Sequence, residues 1–163
     1  GYISQDTAIF DGSVLYNIIL DDINYSSLLP YQKNKIDDLL KMVKLDDVVG
    51  SLPSGLDTRV GERGTNFSGG QKQRLFLARE LYRDPKLLIL DEATSALDKE
   101  TESFIQNEIK KMIGTRTLII IAHRLKTIKD CEEVIMLQDG HVKDLGGYQD
   151  LARKHLDFFR DVE

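Results

Sequence analysis

The chain has 163 residues, of which 41% are hydrophobic and 30% are charged, so it suits one globular domain and excludes a disordered chain. The 22 basic and 27 acidic residues give a net charge of -5, which argues against a nucleic-acid partner or a coat for anionic membranes. Cys131 is the only cysteine, which excludes an intrachain disulfide and favours a reducing compartment.

Residues 1–85 are predicted to form a mainly helical part. Ser13 is placed to cap a short helix, and hydrophobic residues recur at helical spacing over residues 31–44. An irregular stretch rich in glycine follows. A further long helix is predicted to begin near Ser68 and to end before Pro85.

Residues 86–163 are predicted to alternate strands with helices. Leu87–Leu90 and Thr117–Ala122 are short apolar runs, typical of strands that are covered on both faces. A helix over Asp98–Ile113 separates them, with Asp98 as its N-cap. This order predicts an α/β fold with a mainly parallel sheet and helical crossovers. The remaining predicted elements are a hairpin over residues 133–138 and 141–145 that turns at Asp139-Gly140, and a closing helix over residues 148–155.

The start of the helix near Ser68 has the residues of an anion site. Gly69 and Gly70 let backbone N–H groups approach a ligand, Ser68 adds a hydroxyl group, and the helix dipole favours negative charge there. The alternative is a capping box, because Ser68 and Gln71 have the required spacing. The two interpretations are compatible, since a capped helix N-terminus can also hold a phosphate.

Both apolar strands end in polar residues, where ligands bind in parallel sheets. Asp91 and Glu92 follow the first strand; one carboxylate can hold Mg²⁺, and its neighbour can take a proton from water. His123 follows the second strand and can bind a phosphate oxygen or orient a water molecule. The alternatives are that the carboxylates only cap a turn and that His123 is a structural residue.

Taken in order, these segments resemble the nucleotide-binding domain of ATP-binding cassette (ABC) proteins along nearly the whole chain. The resemblance implies a partial P-loop ATPase fold in which a helical subdomain precedes a mainly parallel sheet. In it, Gln5 is similar to the Q-loop glutamine, Thr58–Gly64 to the X-loop of exporters, and Phe67–Gln71 to the signature motif, with Phe in place of the usual Leu. Leu87–Asp91 resembles the Walker B strand, Glu92 the catalytic glutamate, Ser95–Asp98 the D-loop, and His123 the switch histidine.

The resemblance also implies roles for these residues at ATP and Mg²⁺, in a site shared by two such domains. The residues that it assigns to the nucleotide are Gln5, Ser68, Gly69, Gly70, Gln71 and Asp98, with the signature residues acting on the γ-phosphate of the partner domain's ATP. Asp91 and Gln5 would hold Mg²⁺, Glu92 would polarise the attacking water, and His123 would contact the γ-phosphate. The helical part would dock a transmembrane domain, so an ABC exporter at the cytoplasmic face of a membrane is implied.

One family motif is absent from the sequence. A P-loop requires G-x-x-x-x-G-K-[ST], and the two glycine pairs with this spacing are followed by Leu56 and Gly70 rather than by Lys. We therefore expect a soluble fragment of a nucleotide-binding domain that neither hydrolyses ATP nor binds it tightly alone. We also expect Leu87–Leu90 to lack a neighbouring strand, so that the isolated chain self-associates through its α/β part.

Two other functions stay open at this point. A chromosome-maintenance or DNA-repair ATPase also uses a signature helix, but such proteins carry long coiled-coil insertions, and the sequence has no sustained heptad pattern. A non-catalytic fragment or interaction module would keep the sequence without the activity. The presence of both Glu92 and His123 favours an active ATPase for the parent protein.

Overall fold

The computed structural model describes residues 1–4, 8–61, 65–94, 97–122 and 125–156. The chain forms two compact units, Gly1–Ile119 and Ile120–Glu163. The described strands are β1 (Tyr2–Ile3), β2 (Gly12–Ser13), β3 (Arg59–Val60), β4 (Leu87–Asp91), β5 (Thr117–Ile121), β6 (Val134–Gln138) and β7 (His141–Gly146). The described α-helices are α1 (Val14–Ile19), α2 (Pro30–Met42), α3 (Asp46–Gly50), α4 (Gly69–Tyr82), α5 (Lys99–Lys110), α6 (Leu125–Ile128) and α7 (Tyr148–Lys154).

Three helices of the first unit, α1, α4 and α5, begin at the caps that the sequence predicts. The Ser13 hydroxyl accepts a hydrogen bond of 2.9 Å from the backbone N–H of Tyr16 and so caps α1. The carboxylate of Asp98 accepts one of 2.9 Å from Thr101 N–H and caps α5. Helix α4 packs against α1 and α2. Their fully buried side chains include Leu15, Ile18, Ile36, Leu75 and Ala78, and these form the core of the helical part.

The side chain of Arg79 ties α4 to α1 inside this core. Arg79 is only 3% exposed, and its guanidinium donates hydrogen bonds to three oxygens. It reaches the backbone oxygen of Asn17 at 2.6 Å, the side-chain oxygen of Asn17 at 2.8 Å and the backbone oxygen of Ala8 at 3.1 Å. The rings of Phe10 and Phe76 lie over the same group, at 4.7 and 5.1 Å. Burial lowers the pKa of Arg79, but the hydrogen bonds satisfy the charged group.

Replacing Arg79 with Met is expected to destabilise the chain by about 3 kcal/mol, because two backbone oxygens lose a buried donor. Met keeps most of the side-chain volume, so the change measures the hydrogen bonds rather than a cavity. Urea unfolding of the chain at low concentration would measure the free energy of unfolding. The matched control is Arg83→Met, at an exposed position directly after the same helix. Equal effects of the two substitutions would contradict a structural role for the Arg79 network.

A three-stranded sheet has the strand order β1-β4-β5, and this corrects one expectation. Leu87–Leu90 lies in the central strand, so it does not lack a neighbour. The reason is that the first residues of the chain pair with it in parallel, with Tyr2 opposite Ile89 and Ile3 opposite Leu90. Hydrogen bonds from Ile89 N–H to Gly1 O at 2.9 Å and from Gly1 N to Leu87 O at 2.8 Å extend this pairing.

The strands are covered on one face only, which corrects the expectation of full burial. In β4, Leu88 and Leu90 are buried, whereas Leu87 is 42% exposed. Strand β5 alternates between exposed and half-buried residues, and its Ile119 is 46% exposed. Tyr2 of β1 is also half exposed. An unbroken apolar run therefore belongs here to a half-covered sheet, which periodicity alone does not distinguish from a fully covered one.

The second unit contains the predicted hairpin and closing helix. Strands β6 and β7 pair antiparallel, and Asp139 and Gly140 both adopt positive φ, 51° and 76°, as the tight turn requires. The Asp144 carboxylate lies 2.9 Å from the His155 ring, which joins β7 to the end of α7. This hydrogen bond is the main cause that lowers the pKa of Asp144 to about 2. The outer face of the hairpin exposes four apolar side chains: Ile135, Leu137, Val142 and Leu145.

Candidate nucleotide-binding site

The N-terminus of α4 has the predicted capping box. The backbone N–H of Gln71 donates to the Ser68 hydroxyl at 3.3 Å, and the Gln71 side-chain oxygen accepts from Ser68 N–H at 2.8 Å. The capping interpretation is therefore confirmed, since each of these two side chains accepts a hydrogen bond from the backbone N–H of the other residue. A phosphate at this terminus would replace the capping side chains as hydrogen-bond acceptor, and the first-turn N–H groups would donate to it.

Gly69 is the first residue of α4, and none of the described residues requires a glycine there. A Cβ atom added to Gly69 would meet no atom of the described part of the chain within 4 Å, and Gly69 is not among the glycines with positive φ. The missing side chain therefore leaves free space outside the helix terminus. If glycine matters at this position, the reason lies in what approaches the helix from outside.

Asp91 ends β4 and receives a hydrogen bond that the sequence analysis missed. The Tyr2 hydroxyl donates to Asp91 Oδ2 at 2.8 Å. This hydrogen bond, with smaller contributions from burial and from the charge of Asp91, raises the pKa of Tyr2. The register that pairs Tyr2 with Ile89 brings Tyr2 diagonally next to Asp91 on the same face of the sheet. Only a correct prediction of that register would have revealed the contact.

The residues around Asp91 fit a magnesium ion that takes most of its ligands from water and from substrate phosphates. Among the residues the structure describes, no three acidic, His or Cys side chains gather to hold a metal ion. Mg²⁺ is commonly held by one or two carboxylates together with water and substrate phosphates, so a single carboxylate at the end of β4 suits this mode. The identity of the metal and its ligands remains a prediction.

Glu92 lies directly after β4 in an unusual backbone conformation. Its φ is 48°, in the left-handed region that a side chain with a Cβ atom rarely adopts. The side-chain amide of Gln73, on α4, donates a hydrogen bond to the backbone oxygen of Glu92 at 3.4 Å. Gln73 is only 2% exposed. The sequence analysis missed Gln73, although a polar residue on the buried face of a helix is a signal for such a contact.

Asp98 and Thr94 both form hydrogen bonds with residues of α5. Asp98 caps α5 through Thr101, and the hydrogen bonds from Thr101 are the main cause that lowers its pKa. The Thr94 hydroxyl donates to Glu102 Oε1 on α5 at 3.1 Å. The proposed contact of Asp98 with a nucleotide stays a prediction, while its role as a helix cap is confirmed.

Arg74 holds the first turn of α4 from the side and was also missed. Its Nε donates to Gly70 O at 3.2 Å, and its guanidinium also donates to the backbone oxygen of Lys44. Burial lowers the pKa of Arg74, while the charge of Asp98 opposes this shift. Gln5 and His123, both predicted site residues, lie outside the described residues, as do parts of the predicted X-loop and D-loop.

Comparison with known proteins identifies the family. A family model described as "ABC transporter" matches residues 1–95. The chain belongs to the ABC transporter family. Among curated relatives, ABC transporter B family member 13 of Arabidopsis thaliana is 40% identical over 97% of this chain. A putative multidrug export ATP-binding/permease protein of Staphylococcus aureus is 40% identical over 94% of it.

A solved structure confirms the fold of this ABC transporter chain. A bacterial Atm1-family ABC exporter with ATP bound superimposes with a TM-score of 0.84 and 36% identity over 99% of the chain. The fold is therefore that of an ABC ATPase domain. The chain spans 28% of that exporter, 12% of the Arabidopsis relative and 26% of the Staphylococcus relative.

Proposed function

We propose that the chain is the part of an ABC exporter's nucleotide-binding domain that carries the catalytic glutamate and the signature helix. In this proposal the parent protein hydrolyses ATP to ADP and phosphate with Mg²⁺. The contact between Gln73 of α4 and Glu92 at the end of β4 carries the proposal, because it brings the two motifs together in one chain. The printed names of the relatives, which include ABC exporters, support the choice of exporter.

Each residue of this site has a separate chemical role in the proposal. The Glu92 carboxylate accepts a proton from the attacking water, and Asp91 with Gln5 would hold the metal ion. Mg²⁺, when bound, neutralises the charge of the phosphate oxygens. His123 donates to the γ-phosphate. Such reactions depend mostly on positioning and on charge stabilisation, which small displacements of these groups would reduce.

The N-terminus of α4 would act on a nucleotide held by a second domain. The residues assigned to that contact are Ser68, Gly69, Gly70 and Gln71, and Asp98 of the predicted D-loop is also assigned to the nucleotide. The free space outside Gly69 supports this assignment, because it leaves the helix terminus open to an approaching phosphate. The partners that follow are a second nucleotide-binding domain and a transmembrane domain docked on the helical part.

The proposal places the chain at the cytoplasmic face of a membrane, as part of a transporter. Among the described residues, every helix is too short or too polar to cross a bilayer. The names of the relatives favour a transporter over a DNA-repair ATPase. The interaction-module alternative applies to the isolated chain, which has no P-loop sequence. Phosphate release from Mg-ATP by the full-length parent, with Glu92 intact or replaced by Gln, is the test of the proposed activity.

The isolated chain is expected to self-associate and to bind ATP only weakly. The self-association is expected to arise not from an unpaired Leu87–Leu90 but from the exposed face of the sheet and the apolar face of the hairpin. Light scattering at increasing concentration should show dimers or larger species, and calorimetric titration with Mg-ATP should show no micromolar binding. Replacing exposed Leu137 and Val142 with Thr should weaken the association. A monomer at high concentration, or micromolar ATP binding, would contradict the respective part of this prediction.

A further inference from the structure

We propose that Gln73 is a positioning residue for the catalytic carboxylate of its own chain. This inference rests on the proposed function, in which Glu92 is the general base. The Gln73 amide donates to the backbone oxygen of Glu92 at 3.4 Å and so holds the peptide from which the catalytic side chain projects. Gln73 itself does not contact the nucleotide or the water in this proposal.

The backbone of Glu92 needs such support because its conformation is strained. A φ of 48° is unfavourable for a residue with a Cβ atom, and such conformations persist where the surroundings fix them. Relaxation of φ at Glu92 would swing its Cβ and turn the carboxylate away from the direction that β4 gives it. A general base must lie within hydrogen-bond reach of the proton that it takes, so this change would slow catalysis.

Gln73 is well placed to fix the peptide rather than merely to fill space. It is 2% exposed, and Leu75 and Leu77 on the same helix are buried. Its side chain therefore cannot swing into solvent as an exposed glutamine can. Water competes little for a buried hydrogen-bond donor. The Gln73 amide is therefore expected to keep its hydrogen bond to the backbone oxygen of Glu92 and to hold that peptide at a fixed distance from α4.

This geometry gives α4 two tasks in one transporter. Gly69, at its first turn, faces open space where the partner's nucleotide would approach. Gln73, four residues later, holds the base that serves the nucleotide of its own chain. A shift of α4 on contact with the partner's ATP would therefore move the peptide of Glu92.

The test replaces Gln73 with Met in the full-length transporter. Met matches the length and volume of Gln but has no donor, so the helix keeps its packing. ATP turnover at saturation is expected to fall about tenfold, the effect of one lost hydrogen bond in a rate-determining geometry, while the KM for ATP stays within about twofold. Gln149→Met, at an exposed position of α7, is the matched control and should leave turnover unchanged.

A double-mutant cycle distinguishes positioning from a general structural effect. In the Glu92→Gln background, Gln73→Met should not lower the remaining single-turnover rate further, because the base is already absent. An equal loss in both backgrounds, a loss that appears only in KM, or normal turnover of Gln73→Met would overturn the role of Gln73. High turnover of Glu92→Gln alone would instead overturn the assignment of the base, so the two failures are distinguishable.

Discussion

Glu92→Gln in the full-length parent should lower ATP turnover by about a hundredfold or more, the usual contribution of a general base. The substitution keeps the size and hydrogen-bonding shape of the side chain and removes its basicity. The peptide that Gln73 holds and the strand that ends at Asp91 are left unchanged. We therefore expect ATP binding and ATP-dependent dimerisation to persist while phosphate release stops.

Steady-state phosphate release and dimerisation in the presence of ATP would measure the two parts of this prediction. The matched control is Glu133→Gln, the same change at an exposed residue of the second unit. Near-normal turnover by Glu92→Gln would show that another group takes the proton. Loss of dimerisation together with turnover would show that Glu92 supports binding rather than the chemical step.

Gly69→Asp should abolish turnover to a similar degree while leaving the chain as stable as before. A Cβ atom added at Gly69 meets no atom of the described residues within 4 Å, so we expect the fold to tolerate the substitution. Asp is also favourable in the first turn of a helix, near the positive end of the dipole. The loss would come from the carboxylate, which occupies and repels the place where a phosphate meets the first-turn N–H groups.

Gly50→Asp is the matched control, because Gly50 also has no neighbour within 4 Å of an added Cβ and no positive φ. Thermal unfolding, ATP binding and phosphate release should be measured for both variants. Normal turnover by Gly69→Asp would reduce Ser68–Gln71 to a helix cap. A large fall in its unfolding temperature would also contradict the account, since the described residues leave space for a Cβ atom at this position.

The elements that depend on local sequence were predicted well. Ser13, Ser68 and Asp98 mark the starts of three helices. Each places a side-chain oxygen directly before a segment with helical periodicity, where it can accept a hydrogen bond from a first-turn N–H group. Asp139-Gly140 fixed the hairpin because few residues adopt the positive φ of its turn. The ABC fold itself was predicted through the order of its motifs.

Features that depend on distant pairing were predicted poorly. The place of Leu87–Leu90 in the centre of the sheet depends on its pairing with Tyr2–Ile3, more than 80 residues earlier in the chain. The Tyr2–Asp91 contact follows from the same register. Gln73 and Arg74 reach their acceptors across the fold, and helical periodicity indicates that a residue is buried but not which group it contacts.

The most direct test of the central claim asks whether α4 acts on the nucleotide of a partner domain. Two complete nucleotide-binding domains joined by a flexible linker can carry Glu92→Gln and Gly69→Asp either in the same copy or in different copies. If the signature acts in trans, different copies leave one site with both a normal base and a normal signature. If both changes are in one copy, each site has one defect.

ATP turnover should be measured for the two arrangements side by side, with wild type and each single variant as references. The account predicts measurable turnover when the substitutions lie in different copies and almost none when they share one copy. The reverse order, with turnover retained only when one copy carries both changes, would show that the helix and the base of one chain act on the same nucleotide, and would contradict the account.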